Sequence, residues 1–228
     1  LARMSHEMRT PLNAITGMAN ITRNTDDIAK SDESAEKIAR ASKQLRTIID
    51  DILKLSNIES ETQDMSRADF EIRKMLEGTL GLADTLAREK FQSIALRVSD
   101  DIPNIATGDG FHIGQVLYNL LSNAIKFSPQ GEEVQLNVYT DPAWTTQEAL
   151  GLRFDIIDHG VGISDEERRR LFRAFEQLEE YKDRKHGGLG VGLAISKRLV
   201  EMMGGEVELE SKPGVGSKFS FVVPVARR

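Results

Sequence analysis

Wound at ~100° per residue, Leu1, Met4, Met8, Leu12, Ile15 and Ala19 fall on one stripe. The pattern predicts an amphipathic helix. Within it, the stretch SHEMRTPLNAI, Ser5 to Ile15, carries a proline at Pro11 and a histidine at His6. His6 lies roughly 160° from the middle of the apolar stripe, with Thr10 and Asn13 on its side, and so is expected to face solvent. NTDD at 24–27 and SDES at 31–34 supply turn and N-cap chemistry. A second helix follows, with Ile38, Ala41, Leu45, Ile48, Ile52 and Leu55 at alternating three- and four-residue steps, a coiled-coil-like seam. Two helices alone bury too little apolar surface to be stable. Two hairpins, one from each of two chains, would make a four-helix bundle, so the pattern predicts a homodimer.

The character changes after residue 60. ETQDMSRAD, 61–69, is polar and aperiodic and reads as a linker between a domain at 1–60 and another at 70–228. From Phe70 onward helical and alternating patterns interleave, and most of the eighteen glycines fall after position 100. Helices are predicted at 72–90, 110–127, 164–171 and 190–203. Strands are predicted at 93–99, 133–140, 151–157, 205–211 and 217–224, the last two joined by KPGVGS. This is the order of a mixed or antiparallel sheet with helices on one face, an α+β two-layer sandwich.

Composition narrows the classes. A net charge of −6 over 228 residues argues against a nucleic-acid backbone as partner, which calls for a basic excess. The absence of cysteine excludes disulfides and thiolate metal sites. No apolar run has the length of a membrane span, none reads as a signal peptide, and no membrane contact is expected. The chain opens inside a helical pattern without an initiator methionine, as a piece of a longer protein would.

Three stretches carry chemistry. On helix 110–127, Gln115, Asn119, Asn123 and Lys126 share a polar edge, opposite Ile113, Val116, Leu117, Leu120, Ala124 and Phe127. An amide oxygen can ligate Mg²⁺ and a lysine can balance phosphate, although a polar helix edge taken alone is better explained by solvent. DHGVG, 158–162, follows an apolar strand; a carboxylate there can accept from the amine of adenine, and the glycines would let the base approach the backbone. HGGLGVGL, 186–193, leads into a helix whose free N–H groups suit phosphate, or it is a flexible loop with a capping glycine. GVGS at 214–217, taken alone, is a hairpin turn.

Their order carries more than any one of them. SHEMRTPLNAI, QVLYNLLSNAIKFS, DHGVGIS, LFRAFEQ, GGLGVGLAISKRLVEMMGG and GVGSKFSF resemble, in sequence, the H, N, first glycine, F, second glycine and third glycine boxes of sensor histidine kinases. The resemblance spans nearly the whole chain. It implies an α-helical hairpin forming a dimeric four-helix bundle, then the Bergerat (GHKL) ATP-binding sandwich shared with gyrase, Hsp90 and MutL. It implies His6 as phosphoacceptor, Glu7 as the group that hydrogen-bonds the imidazole and helps take its proton, and Thr10 in dephosphorylation of a partner. It implies Asn123 on Mg²⁺, Asn119 and Lys126 on the phosphates, and Asp158 on adenine. Gly160, Gly162, Gly188, Gly190 and Gly192 would shape the nucleotide loops. The implied activity is Mg·ATP-dependent autophosphorylation and transfer to an aspartate of a response-regulator receiver domain, separate or fused, in the cytoplasm. Two alternatives remain: an ATPase clamp of the same superfamily, which needs no exposed His6, and a silent dimeric scaffold, which needs no intact Asn123, Asp158 and glycine loops.

The resemblance also accounts for the odd first helix. A nucleophile that meets a nucleotide carried by another domain cannot be packed away, and neutral imidazole is well populated near pH 7. Pro11 lacks a donor and crowds the carbonyl of Glu7, so a bend beside His6 is expected. His112 stands where the family often has arginine, and His159 where other residues are usual. Neither is given a role, and both are expected to be peripheral. LEEYKDRKHGG reads as a lid or as a solvated charged loop.

Overall fold

The computed structural model describes residues 2–25, 27–59, 65–172 and 190–227. These form two compact units, a helical hairpin and an α/β body.

The hairpin consists of α1 (Ala2–Arg23) and α2 (Ile28–Glu59). Helix α1 runs unbroken through Pro11, which is buried. The cap of α2 is Asp27, not the SDES run: its Oδ1 accepts from the amides of Ala29 at 3.0 Å and Lys30 at 3.4 Å. The free N–H groups are therefore satisfied four residues before SDES, which lies inside the helix. Ser34, Ala41 and Ile48 are buried at heptad spacing, with Ile38, Leu45 and Ile52 half-buried between them, as the seam requires. The stripe of α1 is only partly covered: Met8 and Ile15 are half-buried but Leu12 is 52% exposed. On α2, Ile49 and Leu53 are 39% and 55% exposed. A groove of roughly 520 Å³ lined by Met8, Leu12, Ile49, Ile52 and Leu53 lies along this uncovered side.

The body contains β1 (Ala68–Glu71), α3 (Ile72–Glu89), β2 (Ser93–Val98), β3 (Ile105–Gly108), α4 (Gly110–Phe127), β4 (Glu133–Thr140) and β5 (Ala149–Asp158). It continues with α5 (Asp165–Arg168), α6 (Gly192–Met202), β6 (Glu206–Lys212) and β7 (Gly216–Arg227). The strands run β1-β3-β7-β5-β4-β2, with β6 also on β7. Among the described residues only β2–β4 is parallel. Strand β7 pairs with β5 along one edge, and β6 and β3 share its other edge.

Period-two alternation decides the two faces. Leu136, Leu152, Phe154, Ile156, Phe219, Phe221 and Val223 are buried on the face that carries α3 and α4. Phe154 and Phe221 are register partners with rings stacked at 4.5 Å. Helix α4 contributes Ile113, Val116, Leu117, Leu120, Leu121 and Ala124, all buried. The opposite face is polar: Arg153 is held by Asp141 at 3.0 Å, by Asp155 at 3.2 Å and by Glu208.

Strands β1 and β3 were not foreseen. Each has four residues, and they pair with one another antiparallel. Strand β1 closes the stretch read as linker; Ser66, just before it, donates its amide to Asp109 at 2.8 Å. The short helix expected at 164–171 is confined to Asp165–Arg168, opened by a capping box between Ser164 and Glu167.

Candidate functional site

The site is assembled around α4. Asp109 caps this helix, accepting the His112 amide at Oδ1 (3.0 Å) and, at Oδ2, the Ser66 amide (2.8 Å) and the His112 ring Nδ1 (2.7 Å). Burial pushes the Asp109 carboxyl up, but the hydrogen bonds from His112 and Ser66 outweigh it and hold the pKa below the usual value. His112 is 7% exposed. His112 is therefore not the surface histidine expected, because its ring completes the cap. His159 is exposed, its Nδ1 3.4 Å from the Glu133 carbonyl.

With its N-terminus fixed, α4 buries its apolar face on the sheet and turns its polar edge away. Asn119 Nδ2 donates to Ser196 Oγ of α6 at 2.8 Å, leaving its amide oxygen for another donor or cation. Ser196 is buried. Asn123, half-buried one turn further on, has no side-chain partner among the described residues. Lys126 is half-buried, its ammonium 5.0 Å from the Phe127 ring centre, and burial lowers its pKa.

Strand β5 delivers Asp158, which is 6% exposed. Its Oδ1 accepts the Gly160 amide at 2.8 Å, and the Ser217 amide also reaches the carboxylate. Burial nevertheless dominates and raises its pKa. A carboxylate so placed accepts from a ligand N–H when ionised and loses that capacity at a higher pH than an exposed aspartate. The glycines after it answer to the protein's own backbone, not only to a ligand. A Cβ at Gly160 would lie 2.6 Å from the Phe127 carbonyl at the end of α4. Gly162 has φ +69, and a Cβ there would lie 2.0 Å from the Lys212 carbonyl. Gly160 therefore allows the Asp158 loop to close directly on α4. Gly190 has φ +68 and Gly192 opens α6. Gly188, His186 and the lid reading of 178–188 lie outside the described residues.

On the hairpin, His6 is exposed on α1, and Thr10, also exposed, donates its hydroxyl back to the His6 carbonyl at 3.3 Å. Glu7 is on α1, but its side chain lies outside what the structure describes. The structure thus groups Asn119, Asn123, Lys126, Asp158 and Gly160 on adjoining elements of the body, and His6 and Thr10 one turn apart on the hairpin. Sequence reasoning missed Ser196 and the Asp109–His112 cap. An aspartate immediately before a helical pattern is a recognisable N-cap signal; a serine on a later helix, 77 residues from its partner, gives none.

Residues 108–227 match the family of histidine kinase-, DNA gyrase B- and HSP90-like ATPases, and residues 1–61 match the His Kinase A phospho-acceptor domain. The chain belongs to the histidine kinases. This kinase core is 38% identical over 229 residues to the sensor protein GacS of Pseudomonas syringae pv. syringae, an alignment covering 100% of the core and 25% of GacS. It is 37% identical over 226 residues to the sensory/regulatory protein RpfC of Xanthomonas campestris pv. campestris, covering 99% of the core and 31% of RpfC. The core therefore spans roughly a quarter to a third of these relatives. Full-length ShkA in complex with AMPPNP superposes with a TM-score of 0.74 at 30% identity, over 100% of the core and 46% of ShkA. Histidine kinase ThkA, solved with response regulator TrrA, shares the fold with a TM-score of 0.73 at 21% identity, over 98% of the core and 60% of that chain. Among the described residues no helix is long and apolar enough to cross a membrane.

Proposed function

We propose that this core binds Mg·ATP in the body, transfers the γ-phosphoryl group to the imidazole of His6, and passes it on to an aspartate of a receiver domain. What carries the reading is Asp158, a buried carboxylate at a strand end, locked by Gly160 onto the helix that presents Asn119, Asn123 and Lys126. Asp158 would accept from the amine of adenine. Lys126 and the oxygen of Asn119 would meet the phosphates, and Gly188, Gly190 and Gly192 would shape the nucleotide loop, as the resemblance implies. Asn123 fits Mg²⁺: it is a hard amide oxygen with no other described partner. Mg²⁺ suits a site with few protein ligands because phosphates supply the rest, and when bound it would neutralise developing phosphate charge. No cluster of three or more His, Cys, Asp or Glu exists among the described residues to compete for it.

In the transfer, the bond from γ-phosphorus to the bridging oxygen breaks, ADP leaves, a P–N bond forms at His6, and the imidazole proton passes to Glu7. Positioning supplies most of the acceleration. The exposure of His6 fits delivery from a separate unit. Thr10, one turn away, would act in dephosphorylation of the receiver. The division of labour is phosphoacceptor and dimerisation in 1–60 and catalysis in 70–228. The uncovered groove bounded by Leu12, Ile49 and Leu53 fits a second hairpin, giving the four-helix homodimer. The chemistry belongs to the cytoplasm, where ATP and receiver domains are found.

The test is the chemical stability of the label. Incubation with Mg²⁺ and γ-labelled ATP should give label that is lost in acid and kept in alkali, as a phosphoramidate requires. His6→Gln should abolish it with ATP binding intact. Acid-stable label, or label surviving in His6→Gln, overturns the assignment. A folded core that binds ATP and never becomes labelled would favour the scaffold or the clamp ATPase.

A further inference from the structure

Lys90 directly follows α3, and its side chain ends on the C-terminus of α4. Its ammonium donates to the carbonyls of Ile125 at 2.8 Å, Lys126 at 2.9 Å and Ser128 at 2.7 Å. Gln92 adds two donations from Nε2, to Ser128 O at 3.0 Å and Pro129 O at 2.7 Å. The Lys90 carbonyl in turn accepts the Gly131 amide at 3.1 Å. The last carbonyls of a helix have no intrahelical partner and carry the negative end of its dipole. One ammonium spreads its three donors over three of the carbonyls at this end; the side chain is half-buried, and burial lowers its pKa.

The backbone between the two gripping residues bears the cost. Phe91 has φ +53, the one positive φ outside glycine among the described residues. It is 76% exposed, so packing of its ring is not what holds it there. A non-glycine residue in the left-handed region is strained, and the strain persists only where the surroundings impose it. Here the Phe91 amide bonds to Arg88 O and the Gln92 amide to Ala87 O, closing α3, while the Lys90 and Gln92 side chains both hold the end of α4.

The turn held this way is the one that matters to the nucleotide. It contains Lys126, whose own carbonyl Lys90 grips, and it begins beside Asn123. Its next carbonyl, Phe127 O, is the atom against which Gly160 of the Asp158 loop is packed. We propose that Lys90 is a positioning residue for the nucleotide phosphates: by capping α4 it fixes the last turn, and with it Asn123 and Lys126, at a set distance from the Asp158 loop. This rests on the nucleotide-site reading given above. Without the cap the last turn frays, and a ligand that needs Lys126 and Asn123 must reorder it on binding, whereas a ligand that contacts only the adenine end need not.

The experiment is calorimetric titration of the whole chain with Mg·ATP and, separately, with adenosine, for wild type, Lys90→Met and Lys90→Arg. Unfolding midpoints without ligand are measured alongside. Lys90→Met should lose about tenfold in ATP affinity, the scale expected when preorganisation is lost, with adenosine affinity held. Lys90→Arg, which keeps charge and several donors, should recover most of the loss. An unchanged ATP affinity with only a lower midpoint would make Lys90 a structural cap and overturn the proposal, as would equal losses for ATP and adenosine. Should Lys90→Met fail to fold, Gln92→Leu removes the neighbouring grip alone and should give a smaller loss, again confined to ATP; a loss of neither ligand overturns it equally. A wild-type chain that binds no ATP would instead sink the nucleotide-site reading itself.

Discussion

Asp158 is caught between two demands. Recognition of an exocyclic amine needs it ionised, while burial at the end of β5 favours the neutral form and raises its pKa. The folded pKa lies above the unfolded one, so between them the native state binds more protons and its stability falls as pH rises. Ligand affinity should move the other way: ATP binding weakens as pH drops through a window above the ordinary aspartate value of about 3.9. Calorimetry from pH 7 downward should show this decline in wild type, and a flat, weaker profile in Asp158→Asn; parallel profiles would contradict it. Phe91 offers a simpler residue-scale prediction. Phe91→Gly relieves the positive φ but adds backbone freedom to the unfolded chain, and its exposed ring gives up little packing. The expected outcome is a stability change between zero and about +1 kcal/mol, read as a rise of up to ~4 °C in the unfolding midpoint. A marked loss would mean that the ring has a partner. What the sequence made legible of the candidate site was placement: winding put Asn119, Asn123 and Lys126 on one polar edge and His6 opposite a stripe, and Asp158 followed an apolar strand, while the proposed roles came from the resemblance carried by the order of the boxes. Lys90, Ser196 and His112 were not legible. Lys90 and Ser196 act through partners 35 to 77 residues away, and His112, only three residues from Asp109, is defined by burial that its local pattern does not reveal.

At the scale of elements, long periodic segments were legible and short edge strands were not. Helix 110–127 matches α4 to the residue, because its apolar face is continuous and Asp109 and Ser128 bound it. Strands β1 and β3, four residues each, have too few positions for alternation to appear, and they exist because they pair with each other at the sheet edge. Their link to α4 is the Asp109 cap. Asp109→Ala removes an N-cap and frees the Ser66 amide, and should cost about 1–2 kcal/mol, measured by denaturant unfolding of the body. Because the Asp109 pKa is depressed, its contribution is present above the unfolded value near 3.9 and lost as pH falls through the folded one. The hairpin shows the opposite limit of sequence reading. The heptad seam was legible, yet which apolar residues the hairpin itself covers was not: Ala41 and Ile48 are buried, while Leu12, Ile49 and Leu53 remain open. Leu53→Lys together with Leu12→Glu should leave the hairpin's own packing alone and convert a dimer to a monomer in light scattering. A wild-type core that is already monomeric at micromolar concentration would remove the bundle.

At the scale of the whole molecule, the two units each have their own core, and the proposed chemistry is divided between them: the acceptor imidazole on α1 and the nucleotide elements in the body. Each half of the reaction should then be separable from the other. A body beginning at residue 63 keeps the Ser66–Asp109 bond and strand β1, and should fold and bind ATP with the affinity of the whole chain. A body beginning at residue 70 loses the Ser66–Asp109 bond and the first half of β1, and should be less stable by the cost of a truncated edge strand and one lost hydrogen bond to Asp109. The body alone should never become labelled, because it lacks His6, and its own histidines, His112, His159 and His186, all lie outside the hairpin sequence that carries the proposed acceptor. Adding a separate hairpin of residues 1–62 should restore acid-labile label on the hairpin. The rate should be far below that of the intact chain, because covalent connection turns a bimolecular encounter into an intramolecular one with an effective concentration on the order of millimolar. Transfer should therefore rise in proportion to hairpin concentration and disappear with His6→Gln in the hairpin or Asn123→Ala in the body. Label on the isolated body would place the acceptor outside α1 and overturn the division. Failure of the mixture, with intact chain active and both pieces folded, would show instead that the connection between the units does more than raise local concentration.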